Sequence, residues 1–368
     1  MTRIIIDNKI PYIKGILEPY AEVEYIAPEK IDRNAVKDAD ILIIRTRTHC
    51  NAELLEGSKC KFIGTATIGY DHIDTAYCSA NGILWKNAPG CNAPSVGQYI
   101  LASLLLLQER YGILLREKTI GIVGVGHVGT IIEKYCRLIG MNVLRNDPPR
   151  ARKESAEDFV SLEEIAEKSD IITFHTPLIK EGDDKTYHLC NNKFLNRLCK
   201  KPIIINSSRG EIIDNTALLD ASRKGLVSEY ILDCWENEPH ISRELLERAF
   251  IATPHIAGYS ADGKSNATRQ MVNAVSGWIK KKICSSNIIP PSPLFDNITI
   301  PEGADALTAS VLATYDPRQD MASLLAHPED FEKLRGNYGL RREFGAYTLN
   351  NCPPEIVPIL QELGFNIQ

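Results

Sequence analysis

The stretch Lys118-Thr-Ile-Gly-Ile-Val-Gly-Val-Gly-His-Val-Gly129, followed by an acid at Asp147, decides how this chain folds. Ile120 to Val123 is an apolar run of strand length. Gly124, Gly126 and Gly129 then permit a tight turn, close approach of backbone to a pyrophosphate, and close packing of the next helix. Ile131 to Ile139 has helical apolar spacing and Met141 to Leu144 reads as the next strand, so the glycines sit inside a βαβ unit. The helix that follows them points its first amides at the phosphates, with His127 and Val128 in the same loop. Asp147 closes the second strand, where it accepts from the adenosine ribose hydroxyls and repels a 2′-phosphate, which favours NAD over NADP. Arg145, Arg150 and Arg152 lie nearby and temper that preference.

Working outward, Arg3 to Asp7, Ile41 to Arg45 and Lys61 to Thr65 are apolar strands separated by polar, helix-compatible stretches, the rhythm of an open parallel sheet. Ser95 to Arg110 is predicted as a long apolar helix, capped by Ser95, leading into the nucleotide-binding part. Beyond Asp147, the runs Ile171 to His175, Ile203 to Asn206, Tyr230 to Asp233 and Phe250 to Thr253 read as further strands. Ala267 to Lys282 is a second long helix that returns the chain to the first part. Ile289-Pro-Pro-Ser-Pro293 marks a boundary, after which the sequence is richer in charge. The resulting division is 1–94 and 259–288 for a discontinuous first domain, 95–258 for the nucleotide-binding domain, and 289–368 for a C-terminal module.

With 368 residues, 44% hydrophobic and 24% charged, each of these domains can bury a core. A net charge of −5 gives no attraction to nucleic acid or anionic lipid, so neither is expected as a partner. The longest apolar block, Ile100 to Leu107, is too short to span a bilayer, and the amino terminus lacks the apolar core of a signal peptide. A cytoplasmic location is expected. The ten cysteines are scattered singly, as reduced thiols would be, and no metal-binding residue is assigned.

Three segments sit just after predicted strands: Asn206-Ser-Ser-Arg-Gly-Glu-Ile-Ile-Asp214, Asp233-Cys-Trp-Glu-Asn-Glu-Pro239 and Thr253-Pro-His-Ile-Ala-Gly258. Open α/β sheets bind ligands outside the carboxyl ends of their strands. Taken singly, Arg-Gly and Glu-Pro are usually loops and a histidine after a strand is usually structural. Together with the glycine loop and Asn87-Ala-Pro-Gly-Cys-Asn92, the three segments resemble the D-2-hydroxyacid dehydrogenase family over nearly all of residues 1–286. The resemblance implies an α/β chain with a Rossmann-type NAD-binding domain, a discontinuous flavodoxin-like substrate domain and, here, a small α+β C-terminal dimerisation domain.

It also implies Arg209, Glu238 and His255 as the catalytic set. A histidine titrating near neutrality can take the hydroxyl proton as hydride leaves the same carbon. A carboxylate beside it fixes the tautomer and favours the imidazolium, the role of Glu238. The planar fork of Arg209 matches a carboxylate and polarises the developing carbonyl. The resemblance places Thr176, Ser207, Ser208, Asp233 and Gly258 at the cofactor, although Asp233 also reads as a turn cap. Gln98 stands where many relatives carry glutamate, and His127 where asparagine is common.

The loop Gly64-Thr-Ala-Thr-Ile-Gly-Tyr-Asp-His-Ile-Asp74 departs from the family's usual glycine-valine-rich turn. With the charged C-terminal module, it resembles a branch that oxidises a hydroxyacid carrying a terminal phosphate. That resemblance spans the full length and implies substrate contacts at Thr46, Thr67 and Tyr259. Two anionic ends need two anion sites: backbone amides from Thr67 through Ile68 to Gly69, with Arg209, suit the carboxylate, and Arg45 and Arg47 suit the phosphate. The branch also implies a homodimer through the C-terminal module, with Phe331, Leu334, Tyr338 and Leu340 as its apolar face and Arg341 or Arg342 able to assist the partner's site. Alternatives are a D-3-phosphoglycerate dehydrogenase or broader 2-oxoacid reductase and, from another class, an NADH-sensing binding protein.

Overall fold

Near-continuous isoleucine runs set the architecture, because strands covered on both faces carry no polar alternation. The computed structural model describes residues Met1–Gln368 and divides into two compact units, Met1–Asn92 with Ser260–Pro291 and Ala93–Tyr259 with Ser292–Gln368.

The first unit holds a parallel sheet of β1 (Arg3–Asp7), β2 (Glu22–Ile26), β3 (Ile41–Ile44), β4 (Phe62–Thr65) and β5 (Leu84–Lys86), in the order β2-β1-β3-β4-β5. This is the flavodoxin-like order. Edge strands β2 and β5 are not apparent from apolar runs, since Glu22, Glu24, Leu84 and Lys86 are exposed and β5 has only three residues. The returning helix, Ala261–Ile279, begins earlier than its apolar spacing suggests. Ser260 caps it by accepting from the Gly263 amide at 2.8 Å. Its Met271, Val272 and Val275 join Ile4, Ile6, Ile41, Ile43 and Phe62 in one core.

In the second unit β6 (Thr119–Val123), β7 (Asn142–Asn146), β8 (Ile171–Phe174), β9 (Ile203–Asn206), β10 (Glu229–Leu232) and β11 (Ile251–Ala252) form a six-stranded parallel sheet, ordered β11-β10-β9-β8-β6-β7. The strand order reverses at β6, next to the glycine loop, the switch point where doubly wound sheets bind ligands. The long helix Ala93–Tyr111 starts two residues before Ser95, which is therefore no cap. Ser95 is buried and donates to Glu343 at 2.7 Å.

The C-terminal segment, with the small parallel sheet β12 (Asn297–Thr299), β13 (Thr348–Asn350) and β14 (Asn366–Ile367), packs within this same unit. Val311, Tyr315, Phe344, Leu349, Leu360 and Phe365 share a core with Tyr99, Leu106, Ile120 and Tyr135. Gln98 is buried and donates to Thr314 Oγ1 at 3.0 Å and to the Arg342 carbonyl at 3.1 Å, which a glutamate could not do.

Two expectations for this segment are corrected. Phe331 is fully buried in its own chain, and Leu334 and Tyr338 pack against its cores; of that predicted face only Leu340 is exposed. Arg341 does not reach outward to a partner. Its side chain is 4% exposed and donates to the carbonyls of Ser95 at 2.7 Å, Ala257 at 2.6 Å and Ile256 at 3.4 Å. Its guanidinium also lies 4.2 Å from the Tyr315 ring centre. Carbonyl acceptors and an aromatic face satisfy a cation that burial would otherwise penalise.

Candidate active site

The turn after β9 is closed by Asn206, whose side chain donates to the Arg209 carbonyl at 2.8 Å and accepts from the Ser208 amide at 3.1 Å and hydroxyl at 2.9 Å. Gly210 is required there, because a Cβ would fall 1.9 Å from the Trp235 carbonyl oxygen. That close approach sets Arg209, half-buried, beside the segment bearing Glu238; its Nη1 donates to the Ser208 carbonyl at 2.7 Å.

Glu238 accepts from the Trp235 amide at 2.9 Å through Oε1, and its Oε2 lies 2.8 Å from His255 Nδ1. Burial alone would push this carboxyl up. The charge and hydrogen bond of His255, the Trp235 amide and the Arg335 guanidinium outweigh it and hold the group below its ordinary value. An ionised Glu238 on Nδ1 leaves Nε2 as the ring nitrogen available for proton transfer.

His255 has φ +56°, a left-handed backbone that non-glycine residues adopt uncommonly. Asp233 holds that turn. It is 1% exposed, and its carboxylate accepts from Thr253 Oγ1 at 2.7 Å and the amides of Ile256 at 2.7 Å and Ala257 at 3.0 Å. Burial pushes Asp233 up against the downward pull of His255 and these donors. Cys234 Sγ, Glu238 and His255 lie within 4.8 Å of one another, a set of metal-ligand types. Burial, then Asp233 and Glu238, push the thiol well up.

At the glycine loop, a Cβ on Gly129 would lie 2.1 Å from the Gly124 carbonyl oxygen, whereas one on Gly126 would meet only open space. The helix His127–Leu138 begins at Gly126 with no side-chain cap, leaving its first amides and the exposed His127 facing outward, with Val128 half-buried. Thr176, whose methyl sits against Gly124, has a buried hydroxyl with no partner in the chain. An uncapped helix start, room at Gly126 and an orphaned hydroxyl fit a dinucleotide. Ser207 lies beside His175, which burial lowers to about 3 and so keeps neutral.

Asp147 accepts from the Val125 amide at 2.9 Å and the Arg150 amide at 3.0 Å, so its carboxylate is oriented at the end of β7. The three nearby arginines are engaged elsewhere: Arg150 with Glu154 at 2.7 Å, Arg152 with Asp184 at 2.5 Å, and Arg145 with Asp158 at 3.4 Å. Each thus has an acid partner at the surface.

In the first unit, Thr67 Oγ1 donates to the Gly69 carbonyl at 2.9 Å and contacts Thr65 Oγ1 at 2.7 Å, folding the loop back on itself. The amides of Thr67, Ile68 and Gly69 donate to no acceptor of the chain, as an anion-binding turn requires. Arg45 pairs with buried Asp7 at 3.1 Å, while Thr46 and Arg47 are exposed.

Tyr259 and Arg335 lie in the second unit, the phenol oxygen accepting from Arg335 Nε at 3.0 Å. Arg335 is a residue that sequence reasoning missed. Nothing in the charged run 331–343 distinguishes it from Arg341, which the fold buries.

The switch-point glycine loop, the Glu238–His255 pair and Arg209 define an NAD-dependent 2-hydroxyacid dehydrogenase. Residues 105–257 match the D-isomer specific 2-hydroxyacid dehydrogenase NAD binding domain, and 291–364 match a domain of unknown function, DUF3410. The chain is similar to D-lactate dehydrogenase from Aquifex aeolicus, complexed with NAD and lactic acid, at 25% identity and a TM-score of 0.65 over 75% of this chain and 95% of that one. It is also similar to the NAD+-bound 3-phosphoglycerate dehydrogenase of Entamoeba histolytica, at 28% identity and a TM-score of 0.64 over 76% of this chain and 95% of that one. Erythronate-4-phosphate dehydrogenase from Bacteroides thetaiotaomicron is 53% identical over 94% of this chain and 99% of its own length. The Porphyromonas gingivalis enzyme of that name is 40% identical over 99% of both. The chain belongs to the erythronate-4-phosphate dehydrogenase family.

Proposed function

We propose that this chain oxidises 4-phospho-D-erythronate to (R)-3-hydroxy-2-oxo-4-phosphooxybutanoate, a step toward pyridoxal 5′-phosphate. The observation that carries the reading is the 2.8 Å Glu238–His255 pair beside Arg209, in a chain 53% identical to a relative of that name along its length. NAD, when bound, accepts the hydride from C2.

His255 Nε2 takes the C2 hydroxyl proton and Glu238 stabilises the resulting imidazolium. Arg209 grips the carboxylate and polarises the forming carbonyl. Gly124, Gly126, His127, Val128 and Gly129 take the pyrophosphate, and Asp147 the adenosine ribose. Thr176, Ser207, Ser208, Asp233 and Gly258 line the rest of the dinucleotide. Substrate contacts are proposed at Arg45, Thr46, Arg47 and the amides from Thr67 through Ile68 to Gly69 on the first unit, and at Tyr259 on the second.

Homodimerisation through the C-terminal module is proposed on its exposed apolar residues, Leu294 at 96%, Phe295 at 55% and Leu340 at 47%. No helix is long and apolar enough to cross a membrane. A cytoplasmic place is proposed from the metabolic role.

Initial rates of NADH formation with 4-phospho-D-erythronate and with 3-phospho-D-glycerate test the assignment. Turnover of the first and not the second is expected. Preference for the second would make this a phosphoglycerate dehydrogenase, and NADH binding without turnover of either would make it a sensor.

A further inference from the structure

The second unit brings a second arginine to the Glu238–His255 pair, from the C-terminal segment of the same chain. Arg335, on the helix Phe331–Gly336, has a side chain only 23% exposed, and its Nη1 lies 4.0 Å from Glu238 Oε2. It is thus one carboxylate away from the His255 ring, which Glu238 touches at 2.8 Å.

A guanidinium has five donors, and here one is spent: Nε donates to Tyr259 at 3.0 Å. The carboxylates nearest Nη1, Glu332 at 3.7 Å and Glu238 at 4.0 Å, stand beyond hydrogen-bond length. The Nη groups are also not enclosed, unlike Nε of Arg341. A mostly buried cation with open donors beside a reacting pair is built for an anion. Tyr259 fixes its plane, and is itself packed edge-on against Tyr338 at 6.0 Å.

We infer that Arg335, aligned by Tyr259, is a further contact for the terminal phosphate of the substrate, in addition to the arginines proposed on the first unit, and acts in the chain that carries it. The inference rests on the substrate proposed above: Arg209 takes the carboxylate on one side of the reacting carbon, and Arg335 takes the phosphate on the other. Planar guanidinium donors match phosphate oxygens in two contacts. The C-terminal module thereby helps select a phosphorylated hydroxyacid, a role independent of any dimer it forms.

The test uses the full chain as wild type, Arg335→Gln and Arg335→Lys, with thermal melts confirming that each variant is folded. Steady-state kinetics are run with 4-phospho-D-erythronate and D-erythronate, and inorganic phosphate binding to the NADH complex is measured by calorimetry. Arg335→Gln should raise KM for the phosphorylated substrate by roughly tenfold to a hundredfold, the scale of lost charge-assisted hydrogen bonds. It should leave KM for D-erythronate within about twofold, with any fall in kcat through Glu238 common to both substrates, weaken phosphate binding, and be partly rescued by Arg335→Lys. Equal rises in KM with both substrates, or phosphate binding unchanged by Arg335→Gln, would overturn the inference. If the wild type turns over neither compound yet loses phosphate binding on substitution, the subsite stands and the proposed substrate falls. Should Arg335→Gln not fold, the same comparison with Arg335→Lys applies: a selective rise in KM for the phosphorylated substrate supports the subsite and an unselective one refutes it.

Discussion

Asp233 and Arg341 grip the same three-residue turn from opposite ends of its peptide groups. Asp233 accepts from the amides of Ile256 and Ala257, at 2.7 and 3.0 Å, while Arg341 donates to the carbonyls of those two residues at 3.4 and 2.6 Å. His255, in its left-handed conformation, immediately precedes them. A strained position costs roughly 1–3 kcal/mol and persists only when its surroundings over-determine it. Here an acid from the nucleotide-binding sheet and a base from the C-terminal segment do so together.

Replacing Arg341 should therefore damage the whole second unit. Arg341→Met removes the guanidinium donors to the Ser95 and Ala257 carbonyls and the weaker of two donors to the Ile256 carbonyl, which keeps the Tyr259 amide at 2.8 Å, and a loss of about 3 kcal/mol is expected. Thermal melts of the variant beside wild type measure it; an unchanged melting temperature would show that water replaces the guanidinium at no cost.

Glu238 makes stability depend on pH in a defined direction. Its carboxyl is held below its ordinary value in the folded chain. It thus contributes stability that is present above the unfolded carboxyl range, near about 4.3, and lost as pH falls through the folded value. The stability gap between wild type and Glu238→Gln should be full from neutrality down to about pH 5 and narrow as pH falls below about 4.3. Melting both proteins across that range checks it, and a gap that widens with acid would contradict the assigned charge state.

The proposed place of Asp147 at the adenosine ribose makes it the residue on which cofactor choice is to be tested, with Arg145, Arg150 and Arg152 each paired to an acid. NAD should be strongly preferred. Asp147→Ser should lower the ratio of NAD to NADP efficiency by about tenfold to a hundredfold, through lost ribose hydrogen bonds and relieved repulsion. Steady-state ratios with both dinucleotides decide this, and equal efficiency in the wild type would implicate the arginines.

The proposed dimer depends on Leu294 and Phe295, which are exposed at 96% and 55%. Leu294→Asp with Phe295→Asp should shift the protein to monomers in light scattering, because charge in an apolar interface is unpaired and desolvated. A double variant that remains dimeric places the interface elsewhere.

The parallel sheets were legible because β1, β3, β8 and β9 each carry consecutive isoleucines, and the glycine loop because few other patterns need three glycines at that spacing. Edge strands β2 and β5 were hidden: with one side open to solvent, Glu22, Glu24 and Lys86 carry no apolar signature. Helix starts slipped at Ser95 and Ala267 because apolar spacing begins only where the helix meets a core, not where its hydrogen bonds begin. The Glu238–His255 contact was foreseen from motif order. The C-terminal arginines were not separable in sequence, since Arg335 and Arg341 differ only in which carbonyls, rings and carboxylates the fold brings to them.

The chemistry assigned to His255 is tested most directly by NADH formation from 4-phospho-D-erythronate in wild type and in His255→Ala, with NADH affinity measured in parallel. The variant should lose turnover by about a hundredfold to ten-thousandfold, the contribution of a positioned acid or base, while binding NADH as the wild type does. Wild-type turnover in His255→Ala would contradict it.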